Sequence, residues 1–234
     1  MTTLLNIAEQ DTHVVLTMDD SKANALSFDM FDALNAGLDA AAQAQKVVVI
    51  TGRPGRFSAG FDLSVMSRAD ESTMRLLRTG AALSQRLLTF DTPVVLAVSG
   101  HALAMGALLC LSADYRIGVR GNFKIGLNEV AIGMTLPWFG VELARDRLAG
   151  TYFGPCVGLA KICDPDTAVE AGFLDEAVDE EAFAERVADT AAGLSQLDMP
   201  AHRGSKARVR EVLFARLEEA LQRDFADAGL ATGT

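Results

Sequence analysis

The chain has 234 residues, half of them hydrophobic and 22% charged, with a formal net charge of −10. That length and apolar content suffice for one large core, or a core with a small appendage. The acidic balance leaves no global positive field to attract nucleic acid or an anionic membrane, although it permits a local basic pocket for a phosphorylated small molecule. Cys110, Cys156 and Cys163 are odd in number and form no CxxC pair, so they read as free buried thiols in a reducing compartment. The opening MTTLLNIAEQD lacks the basic-then-apolar pattern of a secretory signal, which makes the cytoplasm the expected location.

In chain order, residues 4–9 and 12–18 predict a hairpin, and 28–44 an amphipathic helix capped by Ser27. KVVVITG, 46–52, predicts a buried strand, followed by a loop, RPGRFSAGFDL, and a helix over 70–90. The uncharged run from Thr92 to Ala113 is long enough to span a bilayer, but Pro93, Gly100, His101 and Gly106 interrupt it. It parses better as a strand, 94–98, a tight turn, and a buried helix, 102–112. A strand over 114–119 follows, then helices over 137–149, 151–161, 167–172, 180–197 and 200–228, with a short strand at 174–178. Strands alternating with helices argue for α/β architecture with parallel crossovers. The last helix carries a Val209, Leu213, Leu217, Leu221 stripe that must be buried, on its own core or on a neighbouring subunit.

Phosphate-loop, dinucleotide, hydrolase-elbow and zinc-protease motifs are absent from the sequence, and His13, His101 and His202 lack the spacing of metal ligands, so no metal site is expected. The informative features are two strand-to-helix junctions, SAGFDL at 58–63 and GHALAMGA at 100–107. Backbone N–H groups at such turns have no intrahelical partner, and two that converge can hold a developing oxyanion. The small residues Ala59, Gly60, Ala104 and Gly106 would let a substrate approach the backbone closely.

NALS at 24–27, TG and FSAGFDL within 51–63, PVVLAVSGHALAMGA at 93–107, ADYRIG at 113–118 and NEVAIGMTLP at 128–137 occur in one register. Together they resemble the crotonase superfamily, the enoyl-CoA hydratase/isomerase fold, over nearly the whole chain. The resemblance implies a spiral of repeated ββα units with a helical C-terminal region: a core over 1–195, and a segment over 196–234 suited to oligomerisation. It implies acyl-CoA thioester substrates of fatty acid metabolism, no separate cofactor beyond the CoA of the substrate, and assembly as trimers or dimers of trimers.

Matched residue by residue, the resemblance makes the N–H groups of Phe61 and Met105 the oxyanion donors. Both side chains are bulkier than is common there and should narrow the acyl pocket, which His101 and Leu108 would line. Lys22, Ala23, Ala25, Leu26 and Ala59 fall at CoA-binding positions, with Arg53 and Arg56 as alternative phosphate contacts. The hydratase branch uses two glutamates. Here one position is Glu129 and the other is Leu108. Hydration needs one group to activate water and another to place a proton, whereas moving a double bond from C3 to C2 needs a single group. The expectation is therefore isomerisation by Glu129 alone. The alternatives are hydration with Glu142 as second acid or base, another crotonase reaction, or an acyl-CoA-binding protein without activity.

Overall fold

The computed structural model describes residues 3–226, in which apolar and amphipathic segments wind into a spiral of strand–strand–helix turns. β1 (Leu5–Glu9) and β2 (His13–Met18) form the expected antiparallel hairpin, with Leu5 opposite Met18. β2 leads through β3 (Ala25–Leu26) into α1 (Phe28–Ala44), whose cap Ser27 accepts the Met30 N–H. β4 (Val47–Gly52) is followed by β5 (Gly55–Ser58), β6 (Gly60–Phe61), the single turn α2 (Leu63–Met66) and α3 (Glu71–Thr89). β7 (Val94–Val98) is followed by β8 (Gly100–Leu103) and α4 (Met105–Ser112). β9 (Tyr115–Val119) is followed by β10 (Ile125–Gly126), a 3-10 turn (Val130–Ile132) and α5 (Trp138–Arg147). Next come α6 (Gly150–Gly158), α7 (Pro165–Ala171), β11 (Glu176–Val178), α8 (Glu180–Leu194), α9 (Met199–Val209) and α10 (Glu211–Ala226).

The long strands build a six-stranded sheet ordered β1-β2-β4-β7-β9-β11, parallel beyond the first pair. The short strands form a second sheet, β10-β8-β5, and a pair, β3 with β6. The main sheet is covered on both faces, which is why VVVI and VVLAV are continuous apolar runs. Val48, Ile50, Val94, Leu96 and Val98 face the large core, shared with α1, α3, α4 and α5. Val47, Val49, Val95, Ala97 and Ile117 face Val187 and Ala191 of α8. The fold is α/β, as the alternation of elements predicts.

Two expectations need correction. The helix expected over 102–112 starts at Met105, because residues 100–103 pair as a strand with β5 and β10. An Ala-Leu-rich stretch is equally apolar in either state, and the deciding hydrogen bonds come from distant segments. The helix expected over 200–228 breaks at Arg210, and its last two residues lie outside the described range. Arg210 turns inward and donates to the carbonyls of Leu88 and Ala113 and to Asp114. The break throws Val209 outward, 82% exposed, while Leu213 and Leu217 remain in the main core, where α10 packs on α5 of its own chain.

Candidate active site

The site begins with the loop from Asp19 to Ser27. Asp20 accepts N–H groups from Lys22, Asn24 and Ala25. Asn24 is fully buried with φ 52°, a left-handed conformation that Asn tolerates better than most residues. Its side-chain amide donates to the carbonyls of Met18, Arg56 and Phe57, and its own carbonyl accepts the Ser58 hydroxyl at 2.7 Å. Ser58 Oγ in turn accepts the Gly60 N–H. This network clamps the 22–26 segment against the first junction, and Ala59 N–H donates to Ala23 O at 3.0 Å.

The two junctions meet at Gly60, whose φ is +92°. A methyl group added there would lie 2.7 Å from Ala104 Cβ, 2.9 Å from Leu103 O and 3.1 Å from Met105 N, so only glycine allows this approach. Met105 is the first residue of α4, and its N–H has no partner within the helix. Ala104, just before it, holds φ 49° and ψ −123°, a strained conformation for a residue with a side chain. The Phe61 and Met105 side chains both pack toward α3: a methyl on Gly80 would sit 2.6 Å from the Phe61 ring and 3.3 Å from Met105 Cε. Phe61 also lies 6.1 Å, ring to ring, from Phe31.

Glu129 is tied to the same place through the backbone. Ala104 N–H donates to Gly126 O at 3.0 Å, and Glu129 follows three residues later, at the start of the 3-10 turn. The Glu129 side chain is buried, and its Oε2 has no hydrogen-bond partner. Burial pushes its carboxyl up to about 7, against a weaker opposing effect from its own backbone N–H. A carboxyl that is dry, unpaired and balanced between its two forms near neutral pH is suited to taking and returning a proton.

Leu108, also buried, packs against α5: a methyl on Gly140 would lie 3.2 Å from its Cδ1 and 3.1 Å from Leu136 Cδ1. The position where a second carboxylate would stand is therefore filled with hydrocarbon. Glu142 follows Gly140 by two residues, roughly 200° around the helix. Its Oε1 is 3.3 Å from Arg145 Nε, and it lines a cleft of about 310 Å³ with Arg216, Glu219 and Arg223 of α10. The structure thus directs Glu142 to α10, away from α4.

Lys22 is exposed, Ala23 and Ala25 are half-buried, and Ala59 is exposed, whereas Leu26 is fully buried in the core. Arg53 donates to Lys22 O and lies 3.7 Å from Asp19. His101 pairs in register with Arg56, accepts Lys124 N–H at 2.9 Å and meets Phe123 edge-on. Burial, with Arg56 and Lys124 nearby, lowers the pKa of its ring. These contacts place His101 on a basic surface rather than against the Phe61 or Met105 side chains. Among the described residues no cluster of His, Cys, Asp and Glu could hold a metal ion, and no helix is long and apolar enough to cross a membrane. Reading the sequence singled out Glu129 and the two junctions but missed the buried amide of Asn24 that fastens the 22–26 segment to the first of them. An Asn inside the apolar NALS segment was the available signal.

Comparison with known proteins fits this geometry. Residues 8–227 match the enoyl-CoA hydratase/isomerase family model. An enoyl-CoA hydratase/isomerase family protein from Pseudomonas syringae is 43% identical, with a TM-score of 0.94 and coverage of 96% of this chain and 98% of that one. A Mycobacterium tuberculosis structure described as an enoyl-CoA isomerase is 36% identical, with a TM-score of 0.92 and coverage of 97% and 100%. A crotonyl-CoA hydratase from Syntrophomonas wolfei is 29% identical over 97% of this chain and 89% of that protein. The chain spans 20% of the length of a Brassica napus fatty acid β-oxidation multifunctional protein, which it matches over 146 residues at 32% identity. The chain belongs to the enoyl-CoA hydratase/isomerase family, the crotonase-type enzymes.

Proposed function

We propose that this enzyme isomerises 3-enoyl-CoA thioesters to 2-enoyl-CoA, with Glu129 as its single acid and base. The observation that carries this reading is the combination of a buried Glu129 whose Oε2 lacks a hydrogen-bond partner with the hydrocarbon packing of Leu108. The Glu129 carboxylate removes a proton from C2 of the substrate. The electron pair left behind delocalises over the C3–C4 double bond and the thioester carbonyl as a dienolate. Its negative oxygen takes hydrogen bonds from the N–H groups of Phe61 and Met105, and the N-terminal dipole of α4 favours the charge. The Glu129 carboxyl then returns the proton at C4, leaving the double bond between C2 and C3 and the carboxylate restored. No water is activated, so no second carboxylate is needed. Glu142, engaged with Arg145, offers none.

On this reading Lys22, Arg53 and Arg56 meet the CoA phosphates, and Ala23, Ala25 and Ala59 border the path to the donors. The working enzyme is a cytoplasmic trimer or dimer of trimers; Val130 and Ile132, beside Glu129, are about half exposed and suit burial against a second copy. Purified enzyme should shift the double bond of a 3-enoyl-CoA much faster than it hydrates crotonyl-CoA. Glu129→Gln should slow the shift about 10³-fold while acyl-CoA binding persists. Tight binding without turnover, unaffected by Glu129→Ala, would instead identify an inactive acyl-CoA binder.

A further inference from the structure

α4 has no acidic residue in its first turn and no basic residue in its last. Its charges are supplied by other elements and gather at the end opposite Met105. Arg147, from the end of α5, donates Nη2 to Ala113 O, just past the last turn, at 2.7 Å. Arg210 reaches the same carbonyl at 3.3 Å and Asp114 Oδ1 at 2.7 Å, and Lys206 Nζ lies 2.6 Å from Asp114 Oδ2. Arg116 on β9 is bound to Asp175 at 3.1 Å and donates to Gly172 O. Among the described residues these four cations pair with Asp114, Asp175 and, at 3.9 Å from Arg147, the neighbouring Asp146. His202 and Ser205 complete the wall of the cavity that Arg147, Lys206 and Arg210 line.

Arg147 has the most distant carboxylate of the four cations. Asp146, its carboxylate, is distant and partly solvated, and its own Nε is buried without a partner. Eight residues of helix span about 12 Å, so this charge sits by the C-terminal end of α4 with about one helix length of protein between it and Met105. We propose that Arg147 is a positioning residue for the reaction: by gripping Ala113 O it fixes the axis of α4, and its charge favours the enolate at the far end. This rests on the reading of Met105 N–H as an oxyanion donor.

The test uses wild type, Arg147→Met and Arg147→Lys with acetoacetyl-CoA, whose enolate absorbs in the near ultraviolet and forms without turnover. Wild type should lower the pH at which the bound ligand enolises. Arg147→Met should move that pH back toward the free-ligand value, and Arg147→Lys should restore most of the effect. In the isomerase assay Arg147→Met should lower kcat by at most about tenfold with KM little changed, tenfold being the full scale of one unit charge over about 12 Å at a dielectric constant of about 20, while here the charge moves from Glu129 to the enolate. An unchanged enolisation pH in a folded Arg147→Met variant would overturn the role of Arg147, whatever its thermal stability. A wild-type enzyme that leaves the enolisation of acetoacetyl-CoA unaltered would overturn the donor reading beneath it.

Discussion

At the scale of the residue, Glu129 combines burial, an unpaired oxygen and a carboxyl raised to about 7. On the proposed mechanism the base works as a carboxylate, so kcat/KM for isomerisation should fall as pH drops below about 7, in a pH–rate profile on the free enzyme. The same shift bears on stability. The folded carboxyl titrates near 7 and an unfolded one near 4.5, so the native state holds the extra proton between those values. Its favourable contribution is complete below pH 4.5 and is lost as pH rises through 7. Glu129→Gln has no such loss, and thermal melts should show its Tm gaining several degrees over wild type at about pH 8 relative to about pH 5. The variant should also lose about 10³-fold in kcat. Leu108→Ala removes a buried contact with Leu136 and α5 and should cost about 2–5 kcal/mol in denaturant unfolding. Both positions were legible only through the family resemblance, which aligned Glu129 and Leu108 with the two glutamates of the hydratase branch. The dryness around Glu129 was not legible, since it is produced by packing.

At the scale of the element, the proposed donor pair depends on how closely two turns approach. A Cβ on Gly60 would collide with Ala104, Leu103 and Met105, so Gly60→Ala should drive the junctions apart. Steady-state kinetics should show about 10²–10³ lost from kcat, the cost of misplacing one oxyanion donor, with the circular dichroism of the fold retained. The strands flanking these turns show where sequence reasoning stops. β4 and β7 were readable because four or five consecutive apolar, mostly β-branched residues have few other uses. β5, β6 and β8 were not, because strands of two to four residues owe their state to partners such as Gly126 and Gly55. The start of α4, and so the address of the second donor within its turn, is set by those long-range bonds.

At the scale of the whole molecule, the C-terminal helices are bolted to the catalytic core through Asp114. Its two oxygens hold Lys206 and Arg210, and Oδ2 also accepts the Val94 N–H. Burial pulls the pKa of both cations down while Asp114, foremost among the nearby carboxylates, pulls it up. Asp114→Asn should destabilise the fold by about 3–5 kcal/mol in chemical denaturation, because it leaves buried charges unmatched. Hydrophobic spacing foretold helices here but not the break between α9 and α10, which an inward-facing Arg creates.

The central claim is that one carboxyl group does all the proton transfer. The most direct measurement compares, on one enzyme preparation, the rate of double-bond shift in a 3-enoyl-CoA with the rate of hydration of crotonyl-CoA, each repeated with Glu129→Gln. The account predicts rapid isomerisation, hydration slower by orders of magnitude, and loss of isomerisation in the variant. Hydration as fast as isomerisation, or isomerisation that survives Glu129→Gln, would contradict it.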